Sequence, residues 1–327
     1  MSSKIHILII GAGSAGKRHA QNLSSLGCEI SAFDPREDRL KEITEKIGCI
    51  KTDTDLERLR SEHTFDGAVI ASPPIFHIAQ AQELAKKGTP VLMEKPLSAH
   101  LVDAELLKDI NTRILLGYTY RWWKPLIDVK AQLDEHDIGT VRHVRMVMSA
   151  HLADWHPWEN YKDFFMAKKE MGGGALLDES HFIDLMIWMF GMPKYIFANV
   201  ETIGNLEINS DDSVDLIARY ANGTRVNMHL DLLGRPHEKY IHIVGDGGSI
   251  RWSFEPNEVV VHKAGIAEMQ TYTSERNDMF KEVAAEFIEM IEHNKHPSCT
   301  IADGMRVLEV VEAARKSSQE HKEIILT

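Results

Sequence analysis

Residues 5–16, IHILIIGAGSAG, decide how this chain is read. The apolar run Ile5, Ile7, Leu8, Ile9 and Ile10 breaks at Gly11-Ala12-Gly13-Ser14-Ala15-Gly16 and passes into a helical pattern, which predicts a strand, a tight turn and a helix start. Gly11 permits the turn. Gly13 lets backbone N–H groups approach a pyrophosphate with no Cβ in the way, and Gly16 lets the helix lie close on the strand. The positive end of that helix then faces the anion.

The next strand, residues 29–33, ends at Asp34, about 20 residues downstream, where a carboxylate would grip the ribose hydroxyls of a dinucleotide. A carboxylate there repels a ribose 2′-phosphate, so NAD is expected over NADP. Arg36 keeps NADP open, because its guanidinium would bind that phosphate, lie over the adenine or simply stay solvated.

Outward from this turn, short apolar runs alternate with amphipathic helical stretches for some 120 residues, the pattern of a doubly wound parallel α/β sheet of the Rossmann type. Helices are expected over 36–47, 54–62 and 77–87, and strands over 49–51, 66–71, 90–93 and 113–116. Two of these strands end in loops, at Ser72-Pro73-Pro74 and at Glu94-Lys95-Pro96. Ligands bind at the carboxyl ends of strands in open parallel sheets, and proline holds Lys95 extended, so a lysine is delivered to that edge from a constrained backbone. The aromatic and basic stretch YTYRWWKP, residues 118–125, marks the crossover, giving a dinucleotide-binding domain over 1–122 and a substrate-binding and oligomerisation domain over 123–327.

The second part predicts an α+β domain. After a helix to residue 136, long strands are expected over 141–150, 195–203, 213–220, 224–232 and 239–244, with Ala221-Asn222-Gly223 as a hairpin turn. This is a large, mostly antiparallel sheet with an open face that a second subunit would commonly cover. Two C-terminal helices, 277–293 and 301–317, are expected to pack back on the first domain.

Charged residues are 26% of the chain and the formal net charge is −12, which argues against nucleic acid or an anionic membrane as a partner. No apolar run reaches the roughly 18 residues of a membrane span and no signal pattern opens the chain, so a cytoplasmic protein is expected. Cys28, Cys49 and Cys299 form no CxxC pair, and the 17 histidines include no HExxH, so no metal site is expected.

A second constellation lies in GGGALLDESHFIDLMIWMFG, residues 172–191. Asp178, His181 and Asp184 recur every three residues in an otherwise apolar helix and form a polar stripe on one face. Burying such groups is costly unless they pair or meet a ligand, and a histidine near neutrality suits a general base that takes a hydroxyl proton. A first-turn carboxylate and a satisfied core histidine would explain the same residues structurally.

GAGSAGKRH, KKGTPVLMEKPLS, GYTYRWWKP, GGGALLDESHFID and IADGMRVLEVVEAARKSS together resemble the Gfo/Idh/MocA family of nicotinamide-dependent oxidoreductases over nearly the whole chain. The resemblance implies that Lys95 is a catalytic lysine beside substrate hydroxyl and nicotinamide, that His181 is the general base and that Asp178 assists it. Many members place this aspartate four residues before the histidine, against three here, which leaves Asp184 as a second candidate for its role.

The same resemblance implies a cofactor-contacting set of Gly11, Gly13, Ser14, Ala15, Gly16, Asp34, Arg36, Ser72, Pro73, His77, Glu94, Lys95 and Arg121. Substrate would meet Lys95, Tyr118, Trp155, Tyr161, Asp178 and His181. The aromatic segment with Trp155, His156, Trp158, Tyr161 and Lys162 suits a hydroxylated ring or packs on its own sheet. The expected activity is reversible oxidation of a secondary alcohol of a sugar, sugar nucleotide or cyclitol by a homodimer or homotetramer. The rivals are a redox-neutral NAD-dependent glycoside hydrolase or epimerase and a non-catalytic cofactor-sensing regulator.

Overall fold

The computed structural model describes residues 4–110, 112–155, 157 and 159–326. The chain divides into two compact units, Met1–Thr119 with Arg276–Met305, and Tyr120–Glu275 with Arg306–Thr327. The sequence reading divides the chain at 122/123 and expects the C-terminal helices to pack back on the first domain; residues 276–305 cluster with the first unit and residues 306–327 with the second.

The first unit contains β1 (His6–Ile10), α1 (Ser14–Ser25), β2 (Glu29–Phe33), α2 (Glu37–Ile47), β3 (Lys51–Asp53), α3 (Leu56–Glu62), β4 (Gly67–Ile70), α4 (His77–Ala85), β5 (Val91–Met93), α5 (Leu101–Ala104) and β6 (Ile114–Leu116). Its six strands are all parallel in the order β3-β2-β1-β4-β5-β6. The order reverses at β1, so the carboxyl ends of β1 and β4 open a crevice at the switch point. Ile7, Leu8, Ile9 and Ile10 are wholly buried, as expected of a strand covered on both faces.

The second unit begins with α6 (Lys124–Asp134) and β7 (Val141–Ser149), followed by α7 (Ala175–Asp178) and α8 (Ser180–Phe190). A run of strands follows: β8 (Tyr195–Glu201), β9 (Ser213–Arg219), β10 (Arg225–Asp231), β11 (Glu238–Gly245), β12 (Gly248–Ser253), β13 (Glu258–Lys263) and β14 (Ile266–Thr271). Helix α9 (Arg276–Glu292), in the first unit, and α10 (Ile301–Glu320) precede a short β15 (Ile324–Ile325). The nine-stranded sheet runs β14-β13-β12-β11-β7-β10-β9-β8-β15 and is antiparallel except where β10 meets β7.

Alternation along β7 and β10 buries Val144, Met146, Met148, Val226, Met228 and Leu230 on one face. The strands β12, β13 and β14 lie beyond those read from the sequence. Every residue of β14 is exposed, so hydrophobic alternation gives it no signal. Within the first unit α9 packs on α1, with Val283, Ala284, Phe287 and Met290 buried.

On the other face, His229 lies between two carboxylates, Nδ1 2.8 Å from Asp215 and Nε2 3.0 Å from Asp231. The Asp231 hydrogen bond, opposed by partial burial and joined by Asp215, raises its pKa to about 9. A raised histidine pKa stabilises the fold fully below the unfolded value of 6.5 and ceases to do so as pH rises through about 9. The melting-temperature gap between the parent and His229→Gln should therefore be largest near about pH 6 and close by about pH 10 in thermal denaturation followed by circular dichroism.

Candidate active site

At the glycine turn, each residue type answers to a distance. Gly11 has φ +97°, and a Cβ there would lie 2.7 Å from the Ala71 carbonyl oxygen at the end of β4. A Cβ on Gly16 would lie 1.8 Å from the Gly11 carbonyl oxygen, so only glycine lets α1 sit this close to the turn. Gly13 differs, because a Cβ there would meet nothing nearer than Arg39 Nη1 at 3.7 Å. Helix α1 begins just after Gly13 with no side-chain cap. Ser14 and Ala15, its first residues, face the turn with N–H groups that an α-helix cannot satisfy internally. Open space over a glycine at an uncapped helix N-terminus fits the pyrophosphate of a dinucleotide.

Asp34, only 2% exposed, closes this turn from the end of β2. Its Oδ2 accepts from the Ala12 N–H at 2.8 Å and its Oδ1 from the Arg36 N–H at 2.9 Å. The Arg36 guanidinium turns to Asp38, with Nε donating at 3.1 Å. The cation beside the turn is Arg39, whose Nη1 lies 3.8 Å from Asp34 and next to Gly13. The sequence reading missed Arg39; its place in the first turn of the helix that follows Asp34 was the available signal.

The carboxyl edge of β4 and β5 is held by two buried histidines. His77, with no exposed surface, places Nδ1 2.8 Å from the Pro96 carbonyl oxygen and Nε2 2.8 Å from that of Ser72. Burial pulls its pKa below the ordinary histidine value while the two carbonyls pull it up. The Ser72 hydroxyl donates to Gln80 at 2.6 Å, and Pro73 leads into a short turn over Pro74–Phe76.

Glu94 meets His19, whose Nε2 is 2.6 Å from its Oε1. Burial raises the carboxyl pKa, but the His19 hydrogen bond and the charges of His19 and Lys95 outweigh it and bring the value below the ordinary one. His19, in the GAGSAGKRH stretch, was not singled out as a site residue. Lys95 is half-buried between these anchored neighbours. Tyr118, just past β6, is wholly buried.

In the second unit, the glycines before α7 are packed tightly. A Cβ on Gly173 would lie 2.4 Å from the Met166 carbonyl oxygen, and one on Gly174, at φ +109°, 2.3 Å from Asp211 Oδ1. Asp211 caps α7, its carbonyl accepting from the Ala175 N–H at 2.9 Å and its Oδ2 from the Leu176 N–H at 2.8 Å. The single helix expected over the polar stripe is in fact two. Glu179, at φ −89° and ψ 16°, leaves helical geometry, so Asp178 ends α7 while His181 and Asp184 belong to α8.

Asp184 is engaged by an arginine. Both its oxygens are bound by Arg121, from Nε at 2.9 Å and Nη2 at 2.7 Å, with side-chain exposures of 8% for the arginine and 1% for the aspartate. His181 packs edge-on to the Tyr120 ring, with centroids 5.1 Å apart and planes at 90°. Asp178 is 5% exposed. Trp155 is half-buried, the Tyr161 hydroxyl accepts from the Glu207 N–H at 3.3 Å, and Lys162 pairs with Glu207. His156 and Trp158 lie outside the described residues.

Two family profiles match this chain: "Oxidoreductase family, NAD-binding Rossmann fold" over residues 5–113 and "GFO/IDH/MocA C-terminal domain" over residues 126–251. The chain belongs to the Gfo/Idh/MocA family. It is an NAD-binding oxidoreductase by that family, and the glycine turn and the switch point fit the cofactor. Among curated relatives of this Gfo/Idh/MocA oxidoreductase, the myo-inositol 2-dehydrogenase of Thermotoga maritima is 25% identical, with 98% of each chain covered. The NADP(+)-dependent scyllo-inositol 2-dehydrogenase of Bacillus subtilis is 21% identical over 98% of this chain and 96% of its own.

The fold is shared with a solved levoglucosan dehydrogenase in complex with NADH and levoglucosan. Its TM-score is 0.87 at 20% identity, with 99% of each chain covered. The myo-inositol 2-dehydrogenase of Lactobacillus plantarum gives a TM-score of 0.85 at 20% identity, covering 99% of this chain and all of its own.

Within the first unit of this Gfo/Idh/MocA chain, the structure brings Gly11, Asp34, Ser72, His77, Glu94 and Lys95 to one edge of the parallel sheet. In the second it gathers Tyr120, Arg121, Asp178, His181 and Asp184 around α7 and α8. Among the described residues no cluster of three or more His, Cys, Asp or Glu is placed to hold a metal ion.

Two outcomes distinguish the glycines. Gly13→Ala should keep the parent melting temperature yet weaken NADH binding about tenfold, about 1.4 kcal/mol, in a fluorescence titration. Gly16→Ala should cost about 1–3 kcal/mol of stability in urea denaturation, because α1 must move off the turn. Asp184→Asn removes the carboxylate charge that both guanidinium hydrogen bonds meet and should cost about 3–5 kcal/mol. Pairing Asp184→Leu with Arg121→Met should restore most of that stability.

Proposed function

We propose that this oxidoreductase reversibly oxidises a secondary alcohol of a sugar or cyclitol in the cytoplasm, with Lys95 and His181 as its catalytic residues. The observation that carries the reading is the delivery of a half-buried lysine, from a loop anchored on both sides, to the same sheet edge as the pyrophosphate cradle. The inositol and levoglucosan dehydrogenases among its relatives support a polyhydroxylated ring as substrate.

Bound NAD supplies the hydride acceptor. The Lys95 ammonium donates to the substrate hydroxyl oxygen, polarises it and stabilises the negative charge that grows there as the C–H bond is lost. His181 accepts the hydroxyl proton, which leaves a ketone, and returns it when the reaction runs backward. Asp178 assists by orienting the imidazole and stabilising it once protonated. The edge-on Tyr120 ring limits the tilt of that imidazole. Asp34 favours NAD, and Arg39 is the cation able to accept a 2′-phosphate.

The protein acts as a homodimer or homotetramer in this reading. The support is the outer face of the nine-stranded sheet, where Phe197 and Ile217 are 37% and 43% exposed.

Turnover of myo-inositol, scyllo-inositol and levoglucosan with NAD tests the assignment. Lys95→Ala and His181→Ala should each lower kcat by about 10²–10⁴-fold with NADH affinity within about threefold of the parent. Full turnover by Lys95→Ala on every substrate the parent oxidises would sink the proposal.

A further inference from the structure

The residue before Lys95 and the residue after it are each held by a buried histidine from a different helix. Glu94 is bound by His19 of α1 at 2.6 Å, and the Pro96 carbonyl by His77 of α4 at 2.8 Å. Both histidines have no exposed surface. A fully buried imidazole is costly to keep in an apolar interior unless its polar atoms are used, so each of these contacts has to account for its ring.

His19 spends its hydrogen-bonding capacity on Glu94. An ionised carboxylate only accepts, so Nε2 carries the proton, while buried Nδ1 has no hydrogen-bond partner among the described residues. The ring is wedged edge-on against Phe280 with centroids 5.7 Å apart, which fixes its direction. His77 spans two loops, because its second nitrogen reaches the Ser72 carbonyl and so ties the end of β4 to the segment after β5.

The backbone around Lys95 is fixed as well. The Glu94 N–H donates to the Ile70 carbonyl at 2.8 Å and the Gly117 N–H to the Met93 carbonyl at 2.7 Å. A Cβ on Gly117 would lie 3.4 Å from Glu94 Cα, so the β6 end backs directly onto this residue. Beyond it Leu97, Ser98 and Ala99 are all buried. Only Glu94 and Lys95 in residues 91–99 keep partial access.

We propose that His19 and His77 are positioning residues that hold Lys95 from either side, His19 through the Glu94 side chain and His77 through the Pro96 carbonyl. The inference rests on the reading of Lys95 as catalytic for its consequence, but the clamp itself is a statement about where the lysine is held. Misplacing a reacting group by about 1 Å can cost about 10²-fold in rate, so anchoring the residues on both sides of Lys95 bears on turnover.

The test reads Lys95 directly, without substrate. Lysines are reductively methylated with ¹³C-formaldehyde, and the Lys95 resonance is assigned with Lys95→Arg. His19→Leu and His77→Leu should each move that resonance toward the bulk lysine position, and His19→Gln, which restores a donor to Glu94, should move it back. A Lys95 resonance unchanged in both leucine variants, with native circular dichroism, overturns the clamp. If a leucine variant fails to fold, His19→Met and His77→Met, which fill the space but remove the hydrogen bonds, serve in its place, and an unchanged resonance in both overturns it equally.

Kinetics separate the two claims. With myo-inositol and NAD, His77→Leu should lower kcat about 10–100-fold, and should lower it no further in a Lys95→Ala background. An equal loss in both backgrounds means that the histidine acts through something else and overturns the positioning role. Unimpaired turnover by Lys95→Ala overturns the catalytic reading while the resonance still reports on the clamp.

Discussion

A methyl group on residue 16 would sit 1.8 Å from the Gly11 carbonyl oxygen, and the dinucleotide-binding unit depends on that closeness. Because α1 comes this near to the turn, its first N–H groups stand over Gly13, and Asp34 can reach the Ala12 N–H from the neighbouring strand. The same proximity places the Gly11 backbone against Ala71 at the end of β4. One packing constraint thus shapes the turn and directs the positive end of a helix toward the crevice where the sheet order reverses.

The carboxyl edge of the sheet illustrates how burial and charge are balanced. Glu94 lies where desolvation disfavours its charged form, yet the His19 hydrogen bond and the Lys95 charge help keep its pKa low. His77 is desolvated more severely and leans the other way, toward the neutral ring, with two carbonyls as its partners. Buried His19 and His77 join the segment after β5 to α1 and to the end of β4. In the second unit the Arg121–Asp184 pair does similar work, two hydrogen bonds fixing the start of the unit against α8.

Much of the site was legible in the sequence for local reasons. A glycine pattern, a carboxylate about 20 residues on and a lysine before a proline are statements about neighbours in the chain, and each kept its place in the fold. The stripe of Asp178, His181 and Asp184 was misread because helical periodicity assumes an unbroken helix. Glu179 interrupts it, and Asp211, more than 30 residues away, caps the first piece. Arg39 was passed over in favour of Arg36 because proximity to Asp34 along the chain is not proximity in space.

The sequence by itself determined the fold class, the family, the pyrophosphate turn and the edge on which Lys95 appears, since these follow from hydrophobic period and short-range turn chemistry. The tertiary structure alone decided which ionisable groups meet: His19 with Glu94, Arg121 with Asp184, and His229 between Asp215 and Asp231. Such pairs join residues up to 75 positions apart, and their partners are chosen by which elements pack together and how far desolvation makes an unpaired charge costly. The edge strand β14 belongs with them, because an exposed strand is defined by its neighbour's hydrogen bonds rather than by any pattern of its own.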